Sequence, residues 1–345
     1  MNSNPASPDL LISMARRKPA QVHGLLVIDK PAGMTSHDVV DQARRLVGER
    51  KIGHSGTLDP DATGVLLLGV GDATRLLRFL DTVRLPDPVT REETTTTSKS
   101  YTGTVVLGVE TSTLDASGEV VATHDMASII ATLTVEKVQA VVDADRDGQL
   151  LGRVMQVPPM VSALKVDGKR LHELAREGIE VEREPRPVTV HSFVVLAVRG
   201  SEIDIDVTCS SGTYIRTLAA DLGTQLGGGA HLTNLRRTSV GRFTVDDAVK
   251  LESVTAENAR SRLLPVMECV RGLSRFDAGA EVRSAVAVGK VLPASLFADS
   301  GPAPWAVVDA DERLIAIYEP FSNEKVGADM ARPTIVLIVP ADRAG

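Results

Sequence analysis

Between two apolar runs, residues 53–64 read Gly-His-Ser-Gly-Thr-Leu-Asp-Pro-Asp-Ala-Thr-Gly. Glycine, threonine and an Asp-Pro step at this density cannot continue a helix or a central strand, so the stretch must be a tight loop showing polar side chains at a sheet edge. Both flanks are core. Val65 to Val70 is apolar throughout, as in a strand covered on both faces. Upstream, Gly24–Asp29 reads as a strand and Lys30–Gly33 as a turn. Thr35 with Asp38 then matches a capping box, and Val39, Val40, Ala43, Leu46 and Val47 make one helical face closed by Gly48. Asp59, in the middle of the loop, is the candidate for chemistry. On local grounds it reads first as the cap of its own turn, because Asp in such loops usually bonds the backbone ahead of it.

The 345 residues suggest about two domains at roughly 150 residues each. Residues 1–21, rich in Pro, Ser and Asn and then basic, read as a disordered leader. Asp72 to Leu80 reads as a helix with Leu76, Leu77 and Leu80 inward, and Asp81 to Ser98 as a flexible surface insertion without apolar period. From Tyr101 to Val109 the alternation is that of a strand, and Asp115–Gly118 is a hairpin turn. Helices are expected at Thr134–Val142, through Leu171 to Gly178 and at Tyr214–Leu226, with strands at Val188–Val198 and Ile203–Val207. A compact end region begins near Arg271–Phe276, where the domain boundary is placed, and holds a small helix and a hairpin-like Trp305–Ile317.

No apolar run approaches the ~20 residues of a membrane span, and Leu10–Met14 ahead of Arg16-Arg17-Lys18 is too short and wrongly ordered for a signal peptide, so a soluble, cytoplasmic protein is expected. Cys209 and Cys269 stand alone without zinc-ligand spacing and read as packing thiols. Net charge is −7, which argues against a wholly basic footprint, yet Val207–Val245 carries four arginines against the single Asp221, while Phe276–Gly345 carries ten acids against six bases. A basic middle is compatible with local nucleic-acid contact, with Lys165, Lys169, Arg170, Arg236 and Arg237 as solvated or phosphate-contacting bases. His54, Ser55 and Asp59 lie too close in sequence to converge as a hydrolytic triad, and no second carboxylate loop of aspartic-protease type is evident. Asp143-x-Asp145-x-Asp147-Gly148 opens like a calcium loop but has Val154 where the bidentate Glu belongs, so a solvated acidic turn is expected and no metal.

Gly53-His54-x-Gly56-Thr57-Leu58-Asp59-Pro60-x-Ala62-Thr63-Gly64 has companions in order along the chain: Asp29-Lys30-Pro31-x-Gly33, Lys99-Ser100-Tyr101, Ser162-Ala163-x-Lys165, Gly212-Thr213-Tyr214-Ile215-Arg216 and Leu235-Arg236-Arg237. Together they closely resemble the bacterial tRNA pseudouridine-55 synthase family, over about Gly24 to Phe243. The resemblance implies an α+β pseudouridine-synthase fold, with a central mixed, largely antiparallel sheet flanked by helices over 22–272 and a small mostly-β, PUA-like domain over 273–345. It implies a cofactor-free isomerisation of one uridine in the tRNA T loop, by a protein expected to act as a monomer. Asp59 matches the family's catalytic aspartate, Arg216 the arginine that pairs with it and lowers its pKa, and Tyr101 the ring that stacks on the extruded base. Tyr214 matches a residue lining the same pocket, His54 one that fills the space the uridine leaves, and Lys30, Leu235 and Arg237 supporting positions. Lys165 belongs to the corresponding RNA-clamping segment, about 155–187. The chain departs from the pattern at Thr111-Ser112-Thr113-Leu114-Asp115, where the family commonly has Asp in place of Ser112. A catalytically silent tRNA-binding or folding protein on the same scaffold is the alternative.

Overall fold

A computed structural model of the chain describes residues 19–87, 90–145, 148–162, 164–166, 168–323 and 327–337. Residues 1–18 of the expected leader and Asp147 of the calcium-like motif lie outside the described residues. In chain order the first half runs β1 (Gly24–Lys30), α1 (Ser36–Val47), β2 (Ile52–His54), β3 (Thr63–Val70), β4 (Thr82–Pro86), β5 (Glu93–Thr97), β6 (Lys99–Leu107), β7 (Val109–Thr111), β8 (Val120–Thr123), α2 (Ala127–Ile130), α3 (Val135–Ala144) and β9 (Gly152–Gln156). There follow β10 (Lys165–Val166), β11 (Lys169–Arg170), α4 (Leu171–Arg176), β12 (Arg186–Arg199), β13 (Glu202–Cys209), α5 (Ile215–Gln225), β14 (Ala230–Val240), β15 (Phe243–Thr244) and β16 (Val249–Lys250). The end region holds β17 (Ser274–Asp277), α6 (Ala280–Ala287), β18 (Leu292–Pro293), β19 (Trp305–Val308), β20 (Leu314–Asn323) and β21 (Gly327–Val336).

One ten-stranded sheet carries the order β16-β1-β3-β14-β6-β13-β12-β9, with β2 on β3 and β15 on β14. It is mixed but largely antiparallel: β1 runs parallel to β16 and β14 parallel to β3, and the other pairs are antiparallel. The apolar run of β3 is covered on both faces, as its composition requires. Leu66 and Leu68 pack with Leu26, Ile28 and the buried stripe of α1, Val39, Val40, Ala43 and Val47. Val65 and Leu67 pack on the opposite face with Leu25, Val27 and with Ala306, Leu314, Ile317 and Ile335 of the end region, which form a second, five-stranded sheet. The end region is therefore a small β domain, as expected, and it docks on the back of the strands that carry the loop of residues 55–62. Arg75 reinforces the seam by donating to the Val336 carbonyl at 2.7 Å.

Helix α1 begins at the expected box: the Asp38 N–H donates to Thr35 Oγ1 at 3.1 Å, the Thr35 N–H donates to Asp38 at 2.8 Å, and Gly48 closes it at φ 72°. Such a cap contributes about 1 kcal/mol. Two expectations are corrected. Residues 72–80 form two 3₁₀ turns, Gly71–Arg75 and Leu77–Phe79, instead of an α-helix. Ala73, Leu76, Phe79 and Leu80 are buried, the first three at the spacing of three that is the 3₁₀ period, with Leu76 and Leu80 inward as expected. Residues 81–98 are no loose insertion, because β4 and β5 pair from Thr82↔Thr97 to Pro86↔Glu93. The run Thr94–Thr97 is β-branched and suits a pleated surface even where no apolar alternation announces it.

Asp145 of the calcium-like motif accepts the backbone N–H groups of Gln149, Leu150 and Leu151, which makes it a turn cap. Among the described residues no group of three or more His, Cys, Asp or Glu is gathered to hold a metal. Nor is any helix among them long and apolar enough to cross a membrane. Both cysteines are buried, and burial pushes their thiols up to about 12.

Gly64 is the hinge between loop and strand. It sits at φ +102°, and a Cβ there would lie 2.1 Å from the Arg237 carbonyl of the neighbouring β14. Gly64→Ala is expected to cost about 3–5 kcal/mol, from backbone strain plus overpacking, read as a lowered midpoint in denaturant unfolding.

Candidate active site

The loop of residues 55–62 is held from four sides before any side chain is displayed. Its entry is pinned where the Ser55 N–H donates to the Leu67 carbonyl at 3.0 Å, and its end where the Ala62 N–H donates to the Asp59 carbonyl at 3.1 Å. Buried Ser36, at the start of α1, grips one residue twice: the Leu58 N–H donates to Ser36 Oγ at 2.8 Å, and that hydroxyl donates to the Leu58 carbonyl at 3.2 Å. Lys30 is 0% exposed, and its ammonium donates to the carbonyls of Pro31 at 2.8 Å, Met34 at 2.7 Å and Pro60 at 2.9 Å. All three of its donors are thereby engaged. Burial pulls its pKa down to about 8, with Asp61 and Asp59 opposing. Arg237, 1% exposed, donates to the carbonyls of Val65 at 2.8 Å, Gly56 at 3.2 Å and Thr57 at 3.4 Å.

Lys30 and Arg237 are thus placed as clamps of the loop, with their charge turned inward. Arg236, read from sequence as a phosphate contact, instead forms a bidentate pair with Asp29, both bonds at 2.9 Å. Of the four arginines of the basic middle, Arg216 and Arg237 are buried, Arg236 is tied to Asp29 with 36% of its side chain exposed, and Arg242 is exposed. Clustering in sequence said nothing about which face those side chains take.

On this platform Asp59 stands with 41% of its side-chain surface open, facing an Arg216 side chain that is 4% exposed. Arg216 Nε lies 3.2 Å from Asp59 Oδ2 and Nη2 lies 3.4 Å from Oδ1, a side-on fork. The rest of the guanidinium is also held. Nη1 donates to the Thr113 carbonyl at 2.9 Å and lies 3.3 Å from Asp115 Oδ2, while Nη2 donates to the Val161 carbonyl at 2.9 Å. The expected lowering of the Asp59 pKa by Arg216 is present but outweighed: burial raises it, Arg216 lowers it, Asp115 raises it again, and the net direction is upward.

The substitution at Ser112 does not reach this network. Ser112 Oγ accepts the Glu119 N–H at 3.1 Å across the β7–β8 hairpin. The carboxylate on Arg216 is Asp115, itself fixed by Thr113 Oγ1 at 2.6 Å and the Ser117 N–H at 3.0 Å. Sequence reading saw Asp115 only as a turn residue; the signal that it does more is its pairing with an arginine about a hundred residues away.

Tyr101 lies on β6 directly opposite Arg237 of β14, which in turn faces Gly64 of β3. Its ring is 8% exposed and belongs to the same core as Leu58 and Ala62. Burial pushes the phenol up, while the charge of Arg237 pulls the other way. His54, on β2, is partly buried, and burial holds its pKa below the usual imidazole range. Tyr214 is the N-cap residue of α5, which sets Arg216 in the first turn of that helix. Leu235 follows Asn234, whose φ is +52°, inside a bulge between the Thr233 and Arg236 pairs, the kind of irregularity that re-aims a side chain beside a site. It packs against the core that contains Tyr101. The structure brings Asp59, Arg216, Tyr101, Arg237 and Lys30 into one cluster. Lys165 lies on β10, in backbone register with Arg170 of β11.

Known proteins carry the same arrangement of elements. The family model described as TruB family pseudouridylate synthase (N terminal domain) matches residues 44–85 and 89–215, and that of the tRNA pseudouridylate synthase B C-terminal domain matches 216–271. The chain is 44% identical over 316 residues to the tRNA pseudouridine synthase B of Mycobacteroides abscessus, covering 90% of this chain and 96% of that one. It is 43% identical over 326 residues to that of Arthrobacter sp. strain FB24, covering 88% and 99%. In solved structures, a chain of a Cbf5-Nop10-Gar1 complex shares the fold at TM-score 0.64 and 23% identity, over 92% of this chain and 86% of that one. A chain of an H/ACA RNP bound to a substrate RNA containing 2'-deoxyuridine does so at TM-score 0.62 and 21% identity, over 93% and 86%. With family models spanning most of residues 44–271, and with relatives above 40% identity along nearly their whole length, the chain belongs to the TruB family of pseudouridylate synthases.

Proposed function

We propose that this protein isomerises uridine 55 in the T loop of tRNA to pseudouridine, with Asp59 as nucleophile and proton acceptor. One observation carries the reading: Asp59, on an over-determined loop, is faced side-on by a buried guanidinium, and Leu58 and Ala62 of that loop share one core with Tyr101. The reaction breaks the C1′–N1 bond, turns the base, joins C1′ to C5, and releases the C5 hydrogen as a proton while N1 ends protonated. No electrons are exchanged and no group leaves, so the chemistry is proposed to be cofactor-free and metal-free. Its demand is an ionised carboxylate held still, and Arg216 opposes the burial that would protonate Asp59.

The target base must leave its stack to reach Asp59. In this reading Tyr101, braced by Arg237, stacks on it; Tyr214 and Leu235 line the pocket; and His54, kept neutral by burial, fills the vacated space. Lys30 and Arg237 act through the loop they clamp. The segment 155–187, with Lys165, and the end domain 273–345 are proposed as RNA-contacting parts of a cytoplasmic monomer. The test is T-arm RNA tritiated at uridine C5: wild type should release tritium stoichiometrically, and mass-spectrometric mapping should place pseudouridine at position 55. RNA binding without release would leave the tRNA-binding or folding reading standing.

A further inference from the structure

The last residue of β9, Gln156, is polar yet only 2% exposed. Its carboxamide closes a two-bond ring on a single peptide unit's flanking groups: Oε1 accepts from the Tyr214 N–H at 2.9 Å, and Nε2 donates to the Tyr214 carbonyl at 3.1 Å. Tyr214 is the N-cap of α5, and its own side chain makes no capping hydrogen bond. The residues just before it are anchored separately. The Ser210 N–H donates to the Thr189 carbonyl at 2.7 Å, and the Ser211 N–H donates to Thr97 Oγ1 at 2.9 Å. Gln156 therefore holds the point at which the chain turns into the helix bearing Arg216.

Two further facts make that point sensitive. A cavity of about 230 Å³ lies alongside, lined by Gln156, Pro158, Leu164, Ser211 and Tyr214 among others, so a released Tyr214 has room to move. The contacts of Arg216 with Asp59, at 3.2 and 3.4 Å, are longer than its 2.9 Å bond to the Val161 carbonyl, five residues beyond Gln156 on the same segment. A small shift of the helix start would loosen the pair with Asp59 first.

We propose that Gln156 is a positioning residue for the isomerisation: by pinning the backbone of Tyr214 it holds the Tyr214 ring and the Arg216 fork in register with Asp59. This rests on the isomerase reading above. Removing the carboxamide leaves the part-buried Tyr214 N–H without its acceptor, while the sheet contacts of β9 with β12 are untouched.

The experiment compares wild type, Gln156→Leu and Gln156→Glu in single-turnover tritium release from T-arm RNA, with RNA affinity, thermal unfolding and the pH–rate profile of each. Misplacement on the ångström scale costs up to about a hundredfold in rate. Gln156→Leu is expected to slow the step roughly 10–100-fold with RNA affinity within about threefold. Its acid limb should move to higher pH, because among the groups facing Asp59 (Arg216, Asp115, Lys30 and Asp61) the one that most opposes its protonation has been loosened. Gln156→Glu keeps an acceptor for the Tyr214 N–H and should fall between the two. A wild-type rate in Gln156→Leu overturns the proposal, as does a loss confined to affinity with the acid limb unmoved. Should Gln156→Leu unfold, a wild-type rate in Gln156→Glu overturns it instead. If wild type itself releases no tritium, the isomerase reading fails, which is a separate outcome.

Discussion

Asp59→Asn is expected to reduce single-turnover tritium release by roughly 10⁴-fold or more, the scale seen when a nucleophile is removed from a preorganised site. The carboxamide is nearly isosteric and stays on a loop whose shape is set by Ser36, Lys30 and Arg237, none of which bonds the Asp59 side chain. RNA affinity should therefore stay within about threefold, the room that loss of one partly exposed charge leaves. The variant should also melt no lower than wild type at neutral pH. Burial raises the Asp59 pKa, so the folded state holds that proton more tightly than the unfolded one; stability falls as pH rises through the folded pKa, and ionised Asp59 is a cost to the fold. Wild-type rate should correspondingly climb with pH through a value above the ordinary carboxylate range. Tritium release by the variant at the wild-type rate would remove Asp59 from the mechanism.

The second large effect is expected at Arg216, where even Arg216→Lys should slow the reaction by roughly 10²–10³-fold and lower the melting temperature. The guanidinium serves four acceptors at once: Asp59, Asp115 and the carbonyls of Thr113 and Val161. An ammonium offers three donors from one point and cannot span them. With the side chain 4% exposed, water cannot replace what is lost. Arg216→Met should go further and cost about 3–5 kcal/mol, because two carboxylates then share a site without a cation. Thermal unfolding beside single-turnover kinetics separates the two consequences. An Arg216→Lys protein with wild-type rate and melting point would mean that the fork is not what holds Asp59.

The loop, α1 and the strands on either side were legible because each is written in adjacent residues: a cap and its box, an apolar stripe, a run of buried aliphatics. The hairpin of residues 82–97 was missed because threonine makes strands without hydrophobic alternation. Residues 72–80 were read with the wrong period, since over so few residues a spacing of three and one of 3.6 look alike.

Charges were the least legible feature. Arg236 and Arg237 are neighbours in sequence and alternate across a strand, so one meets Asp29 on one side and the other enters the core beneath the loop that bears Asp59. Nothing local distinguishes either from a surface base. Asp115 and Gln156 stayed hidden for the same reason, since each acquires its role only by touching α5, about a hundred residues from one and fifty-eight from the other.

The sequence by itself determined that residues 53–64 form a tight loop hung from core strands, because turn chemistry and apolar runs are local properties; of the two carboxylates on that loop, Asp59 and Asp61, it was the family resemblance that singled out Asp59. It could not say whether that carboxylate is a cap or a reactive group. What tertiary structure decided is the setting of Asp59: placing β14 between β3 and β6 sets Arg237 between Gly64 and Tyr101, and the start of α5 brings Arg216 against Asp59. A buried charge must find its partners wherever the chain leaves them, and only the packed fold says where that is.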